Sequence, residues 1–334
     1  MLTIAVLGAG SWGTALAKLF ADRGHTVRLW ARRDELAREI TALGENRPYL
    51  PGHKLPATLH ATSKLDQALS GAEAVYFVVP SHGLREIASQ AALLLPPHGP
   101  LVSATKGIEN ESLLLMTQVL EEVLPPSVHA RLCAVGGPSF AKEVAANMPA
   151  ALCMASRNQE MAQLAQEQLA GDRMRVYTTE DVIGVEVGGA LKNVIAIAAG
   201  AADGLGFGHN ARAGLITRGL AEMARLATHL GANPLTLAGL AGLGDLVLTC
   251  TGDLSRNRSV GMELARGRSL DAVLGNMQMV AEGVRTAKRA YTLAQREGVD
   301  MPITTEVYRS LYEGKSPLDA VQSLLGRARR PERD

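Results

Sequence analysis

Residues 2–33 read LTIAVLGAGSWGTALAKLFADRGHTVRLWARR. A short apolar run, a G-x-G-x-x-G loop at Gly8, Gly10 and Gly13, a stretch with helical apolar spacing and a second apolar run follow one another. That order is the first β-α-β unit of a dinucleotide-binding sheet. The loop alone is weak, because glycine-rich turns are common; its place between a strand and a helix gives it meaning. Gly8 is expected to make the tight turn, Gly10 to let the backbone approach a pyrophosphate, and Gly13 to let helix and strand pack closely. The amides of Ser11 and Trp12 then meet the anion at the positive end of the helix. The competing reading is an empty structural turn.

Beyond the second strand lies the ribose end of such a ligand. An acidic residue about 20 positions past the motif would hold a free 2'-hydroxyl, whereas arginine there accommodates a 2'-phosphate. Arg32 and Arg33 stand at that distance, so NADP(H) is the preferred cofactor. Asp34 and Glu35 come next and leave NAD(H) open as the alternative.

The pattern continues outward. TIAVL, TVRLWA, AVYFVV, PLVSAT and RLCAVG are strand candidates, with helical SWGTALAKLFADRG, HGLREIASQAALLL and ESLLLMTQVLEEVL between them. Apolar strands alternating with helices indicate a parallel sheet covered on both faces. After PAALCMAS and the helix QEMAQLAQEQLAGD, one further strand is expected at MRVYTT. From Asp181 helical spacing dominates, with helices predicted near 181–203, 210–230, 255–266, 282–297, 303–313 and 317–327. Ser316 and Pro317 mark a clear start for the last. The expected fold class is α/β: an N-terminal Rossmann-type doubly wound sheet over residues 1–180, then a mainly α-helical substrate-binding and catalytic domain over 181–327. The charged stretch 328–334 lacks apolar anchors and is expected to fray.

With 34 Lys+Arg against 33 Asp+Glu, no excess of positive charge favours nucleic acid or a membrane surface. A small-molecule partner is the default. Cys133, Cys153 and Cys250 are odd in number and widely spaced, without a C-x-x-C pair. No metal is expected, and the thiols read as reduced and intracellular. Met1 leads directly into the first strand without the basic region or cleavage site of a secretory signal, which reads as cytoplasmic. The helical second domain makes a homodimer the expected assembly.

The stretch GVEVGGALKNVIAIAAGAADGLG, residues 184–206, is a long apolar helix with one basic side chain, Lys192. Glu186, Lys192 and Asp203 argue against a membrane span, which needs about 20 predominantly apolar residues. The plain reading of Lys192 is a stem laid along the core with its charge lifted into water. Ligands of open α/β sheets lie beyond the carboxyl ends of the strands. Lys106 in SATKGIE and Gly137, Ser139 and Ala141 in GGPSFAKE fall there; a solvent-facing lysine and an ordinary turn are the competing readings. GLGDLVLTCTGDLSRNRSVG, residues 242–261, gathers Asp245, Thr249, Ser255, Arg256 and Asn257. Ser255 can cap the following helix and direct its amides, the Asn257 amide and the Arg256 guanidinium toward one anion. Positive charge at a helix N-terminus opposes the macrodipole, and a bound phosphate removes that conflict.

With YLPG, VPSHGLR and VAEGVRTA, these segments, spread from about Leu2 to Gly326, closely resemble the bacterial form of the NAD(P)-dependent glycerol-3-phosphate dehydrogenases. The resemblance implies reversible reduction of dihydroxyacetone phosphate to sn-glycerol 3-phosphate, the precursor of glycerophospholipids. It implies Lys192 as catalytic acid/base, with Asp245 beside it in the catalytic set. The implied substrate contacts are Lys106, Gly137, Ser139, Lys192, Asp245, Ser255, Arg256 and Asn257. The implied cofactor contacts, beside the three loop glycines, are Ser11, Trp12, Arg32, Arg33, Tyr49, Lys106, Ala141, Arg256, Val280 and Glu282. An ammonium drawn out of water both stabilises a developing oxyanion and donates a proton. Gly188 and Gly189, one turn before Lys192, are expected to leave space for a ligand, and Asp245 to orient the ammonium. The rival readings are a related two-domain dehydrogenase of the 3-hydroxyacyl-CoA or 6-phosphogluconate type, and a dinucleotide-sensing module without turnover.

Overall fold

The computed structural model describes residues 1–275, 277, 281–329 and 331–332. Among them eight strands form one sheet: β1 Thr3–Leu7, β2 Thr26–Trp30, β3 Leu59–Thr62, β4 Ala74–Phe77, β5 Leu101–Ser103, β6 Leu132–Gly136, β7 Ala150–Ala155 and β8 Met174–Thr179. Their lateral order is β3-β2-β1-β4-β5-β6-β7-β8. The first six strands run parallel, so the loops after them open on one edge. The chain reverses its direction of travel between β1 and β4, which is where doubly wound sheets bind their ligands.

Successive strand residues point to opposite faces, and here both faces are covered. Ile4 and Val6 pack with Leu16, Phe20 and Ile40, while Ala5 and Leu7 pack with Leu84, Ile87 and Val119. A strand buried on both sides must be apolar throughout, which is why TIAVL shows no alternation.

Two strands depart from expectation. β3, LHAT, lies at the sheet edge and is mostly half-buried, with His60 exposed; it lacks the apolar run that marks its neighbours. β7 runs antiparallel to β6, pairing Ala134 with Ala155, and β8 runs parallel to β7. The connection from β6 to β7 holds only the short helix Ala141–Ala145, and a parallel return needs a longer crossover.

The chain divides into two compact units. The first comprises Met1–Gly189 and Leu235–Asp245, the second Ala190–Pro234 and Leu246–Asp334. The expected boundary at 180/181 precedes the helix Val182–Gly204, whereas this division falls inside it. Val182, Val185 and Ala241 pack with Ala134 and Ala155 of the sheet, so the first turns of that helix go with the strands. Within the second unit the helices are Gly208–His229, Arg256–Ala265, Leu270–Gly275, Glu282–Glu297, Pro302–Tyr312 and Pro317–Leu325. Ser316 caps the last, accepting from the Asp319 N–H at 3.1 Å, with Pro317 at its first position as predicted. Buried Glu222 accepts from the N–H groups of Ile303 and Thr304 at 2.6 and 3.1 Å, closing the start of the Pro302–Tyr312 helix. Leu270–Gly275 and the segment Pro234–Thr251 have no predicted counterpart, because Gly239, Gly242, Gly244 and Gly275 interrupt their apolar spacing.

Val182–Gly204 and Pro234–Thr251 are long and apolar enough to cross a bilayer by length and composition alone. Of the first, 89% of the apolar window is buried inside the protein, as in a core helix. The expected frayed tail lies partly outside the described residues; just before it, Arg327 pairs with Asp300 at 2.7 Å.

Candidate active site

β1 ends at Leu7, and Gly8 turns the chain with φ +128°. A Cβ on Gly8 would strike the Val78 carbonyl, and one on Gly13 the Gly8 carbonyl. Gly10 differs. A Cβ there would meet nothing within 4 Å, so open space lies before the loop. The helix Ser11–Asp22 begins after Gly10 with no side chain capping it, which suits an anion at its positive end. Nε1 of Trp12 is buried without a hydrogen-bond partner among the described residues. Room, an uncapped helix start and an orphaned donor together fit a pyrophosphate at Gly8–Gly13.

Past the end of β2 several segments meet. Ser11 Oγ donates to the Tyr49 carbonyl at 2.6 Å, and Arg33 Nη2 lies 3.5 Å from the Tyr49 hydroxyl. Arg32 and Arg33 are exposed just past β2. Asp34 accepts from Ser63 Oγ at 2.8 Å and pairs with Arg38, so one of the two carboxylates that leave the NAD alternative open has partners of its own; the other, Glu35, is exposed.

At the ends of β5 and β6 stand Lys106, Gly137 and Ser139. Lys106 Nζ pairs with Asp245 Oδ2 at 2.8 Å, and Asp245 is fully buried. Asp245 opens the helix Asp245–Thr251 directly after a π turn at Leu240–Gly244, an irregularity frequent at functional sites. Ser139 Oγ donates to the Gly137 carbonyl at 3.0 Å, and Ala141 begins the following short helix. Over Gly188 the expected space is filled. A Cβ on Gly188 would strike the Ala241 carbonyl, and one on Gly189 would sit 3.6 Å from Lys106 Cγ. Gly188 admits protein backbone, while beside Gly189 the Lys106 stem lies at ordinary contact distance.

Within the second unit, Lys192 is 7% exposed, so its charge is not lifted into water. Its Nζ donates to Thr249 Oγ1 at 3.0 Å. Cys250 is the neighbour of Thr249, and burial pushes its thiol up to about 12; it stays protonated. Ser255 caps the Arg256–Ala265 helix as predicted, accepting from the Arg258 N–H at 3.3 Å. Arg258 pairs with Asp203 at 2.7 Å and with Asp253 at 3.0 Å, which neutralises one of the two arginines of the first turn. Arg256 keeps an exposed side chain, although desolvation by its surroundings lowers its pKa against the opposing charge of Glu282. Asn257 is anchored within the protein. Its Nδ2 donates to Asn193 Oδ1 and its Oδ1 accepts from the Gly283 N–H, both at 2.9 Å. The buried side chain is bonded at both ends to protein. Glu282 opens the Glu282–Glu297 helix; Val280 lies outside the described residues.

Residues 3–162 match the family profile of the NAD-dependent glycerol-3-phosphate dehydrogenase N-terminus, and residues 181–322 that of its C-terminus. The chain belongs to the NAD-dependent glycerol-3-phosphate dehydrogenase family. The glycerol-3-phosphate dehydrogenase (NAD(P)+) of Geobacter metallireducens is 54% identical over 99% of this chain and 98% of its own. The crystal structure of glycerol-3-phosphate dehydrogenase from Coxiella burnetii is 42% identical with a TM-score of 0.93, covering 98% of this chain and 99% of that one. The glycerol-3-phosphate dehydrogenase of Saccharomyces cerevisiae is 27% identical with a TM-score of 0.81, covering 96% and 98%.

Several residues of this dehydrogenase that shape the site carry no signal in the sequence. Asn46 lies buried behind the glycine loop, Asn193 receives Asn257, and Arg258 is held by Asp203. Each looks like an ordinary polar residue until its distant partner is known. Arg258 stands in SRNRSVG and Asn193 directly after Lys192, but neither motif names the partner. Among the described residues of the dehydrogenase, no group of three or more His, Cys, Asp or Glu is placed to hold a metal.

Proposed function

We propose that this dehydrogenase reversibly reduces dihydroxyacetone phosphate to sn-glycerol 3-phosphate for glycerophospholipid synthesis, using NADPH in preference to NADH. The observation that carries the reading is Lys192: an ammonium 7% exposed and donating to Thr249, in the unit that also holds Arg256 at a serine-capped helix start. One unit then supplies a proton donor and a phosphate anchor. Arg256 and the backbone amides after Ser255 hold the phosphate, the planar guanidinium suiting its oxygens. The reduced nicotinamide supplies a hydride to the C2 carbonyl carbon. As charge grows on the C2 oxygen, the Lys192 ammonium stabilises it and delivers the proton that completes the alcohol; in the reverse direction the same amine takes that proton. Thr249 Oγ1 accepts from the ammonium and holds it in place.

Lys106, Gly137, Ser139 and Asp245 are assigned to the substrate from the first unit. Gly8–Gly13 with Ser11 and Trp12 are assigned to the pyrophosphate, Tyr49, Arg32 and Arg33 to the adenosine end, and Ala141, Val280 and Glu282 to further cofactor contacts, with Lys106 and Arg256 shared. Residues 1–180 then serve as dinucleotide domain and 181–327 as catalytic domain of a cytoplasmic homodimer without a membrane span. The test is loss of reduced-nicotinamide absorbance with dihydroxyacetone phosphate as the sole acceptor. Oxidation of NADPH is expected at a higher kcat/KM than that of NADH, and far more slowly with unphosphorylated dihydroxyacetone. No oxidation with the phosphorylated acceptor would end this reading.

A further inference from the structure

The glycine loop is held from behind. Asn46 is fully buried, and its Nδ2 donates to the Ala9 carbonyl at 2.9 Å and to Thr14 Oγ1 at 2.7 Å. The Asn46 backbone carbonyl accepts from the Leu50 N–H at 2.7 Å. The base of this segment is closed by the Leu55 N–H on the Gly44 carbonyl at 2.8 Å and by the Gly52 N–H on the Glu45 carboxylate at 2.9 Å. Residues 44–55 therefore form a strap that meets the loop at Ala9 and Thr14, and again at Ser11 through the Tyr49 carbonyl.

A loop with glycine on both sides of Ala9 has many conformations to choose from. The peptide unit is planar and trans, so the carbonyl of Ala9 and the N–H of Gly10 point in opposite directions. Holding the Ala9 oxygen toward Asn46 turns the Gly10 N–H the other way. We propose that Asn46 is the positioning residue of the nucleotide loop: by gripping the Ala9 carbonyl it aims the Gly10 N–H at the pyrophosphate of either nicotinamide cofactor. This rests on the dinucleotide reading of Gly8–Gly13. The pyrophosphate is common to both cofactors, so Asn46 serves NADPH and NADH alike, unlike Arg32 and Arg33.

The experiment is calorimetric titration of NADPH and NADH into folded Asn46→Ala. Both dissociation constants are expected to rise about tenfold or more, by the same factor, because a buried carbonyl loses its donor and the loop must be ordered on binding. KM for dihydroxyacetone phosphate at saturating NADPH is expected to stay within about twofold. Asn46→Asp keeps the side-chain size but has no donor for the Ala9 carbonyl, and it should behave the same way; it decides the matter should Asn46→Ala fold poorly. Unchanged affinity for both cofactors, or a loss confined to NADPH, overturns the proposal. Gly10→Val separates this from the reading beneath it: φ −74° and ψ −178° suit valine, and its Cβ has no protein atom within 4 Å. A folded Gly10→Val that binds NADPH normally removes the loop as the nucleotide site. If Gly10→Val loses both cofactors while both Asn46 variants keep them, only the role of Asn46 falls.

Discussion

Lys192 is a costly residue where it stands, since burying an ammonium penalises its charged form. Thr249 supplies an acceptor at 3.0 Å, and in the proposed mechanism the substrate oxygen would supply the developing negative charge that justifies the position. Lys192→Met keeps the stem and removes the proton, so turnover should fall by about 10² to 10⁴ with NADPH affinity retained. Near-normal turnover across the pH range would return Lys192 to a structural role. Arg32 and Arg33 are exposed beside a strand end, so the proposed interaction with a 2'-phosphate would be selective rather than structural. Replacing both by serine should raise KM for NADPH about tenfold or more, each charge-assisted bond being worth about 1.5 to 3 kcal/mol at most, while NADH changes little. Parallel shifts in both KM values would reject that assignment. The lysine was legible in the sequence because a lone basic side chain in an apolar helix is conspicuous. Asn46 was not, because its partners Ala9 and Thr14 lie 37 and 32 residues away.

The Val182–Gly204 helix carries a second buried charge-bearing group. Glu186 accepts from the Thr117 N–H at 2.8 Å and from Thr117 Oγ1 at 2.6 Å, yet burial raises its carboxyl pKa to about 7. Burial does the same to Glu222, also to about 7. A folded pKa above the unfolded one means the folded state binds more protons between about pH 4.5 and 7, so stability falls as pH rises through that window and levels off above it. Glu186→Gln keeps an acceptor for the Thr117 N–H and removes the charge. Its Tm relative to wild type should therefore climb from pH 5 to pH 7 and be flat beyond about pH 8; a difference that does not vary with pH would place Glu186 outside the linkage. At this scale the long helix was readable from its apolar length, and the parallel strands from their unbroken apolar runs. β3 escaped because an edge strand needs no such run, and the reversal of β7 escaped because the apolar pattern of a strand is indifferent to its direction.

Across the whole molecule, the sheet-bearing unit is not a single stretch of chain. Residues Leu235–Asp245 return to it, and Val182, Val185 and Ala241 cover Ala134 and Ala155. A fragment ending at residue 180 loses that cover, and each buried valine is worth about 1.5 to 3 kcal/mol. The fragment should bind a hydrophobic dye and unfold over a broad range, whereas the intact chain should do neither; a sharp transition without dye binding would show the cover to be dispensable. Spacing along the chain was enough to read the class of the fold, the glycine loop, the arginines after β2, the Ser255 and Ser316 caps and the odd lysine. These are local facts, set by spacing along one strand or one helix. Tertiary structure alone decided that Lys106 pairs with Asp245 and that Asn257 turns its amide into the protein. It also decided that Gly188 admits the Ala241 backbone and that the unit boundary falls inside a helix. Those outcomes depend on which distant segments meet, and apolar periodicity states that a face is buried without naming what covers it.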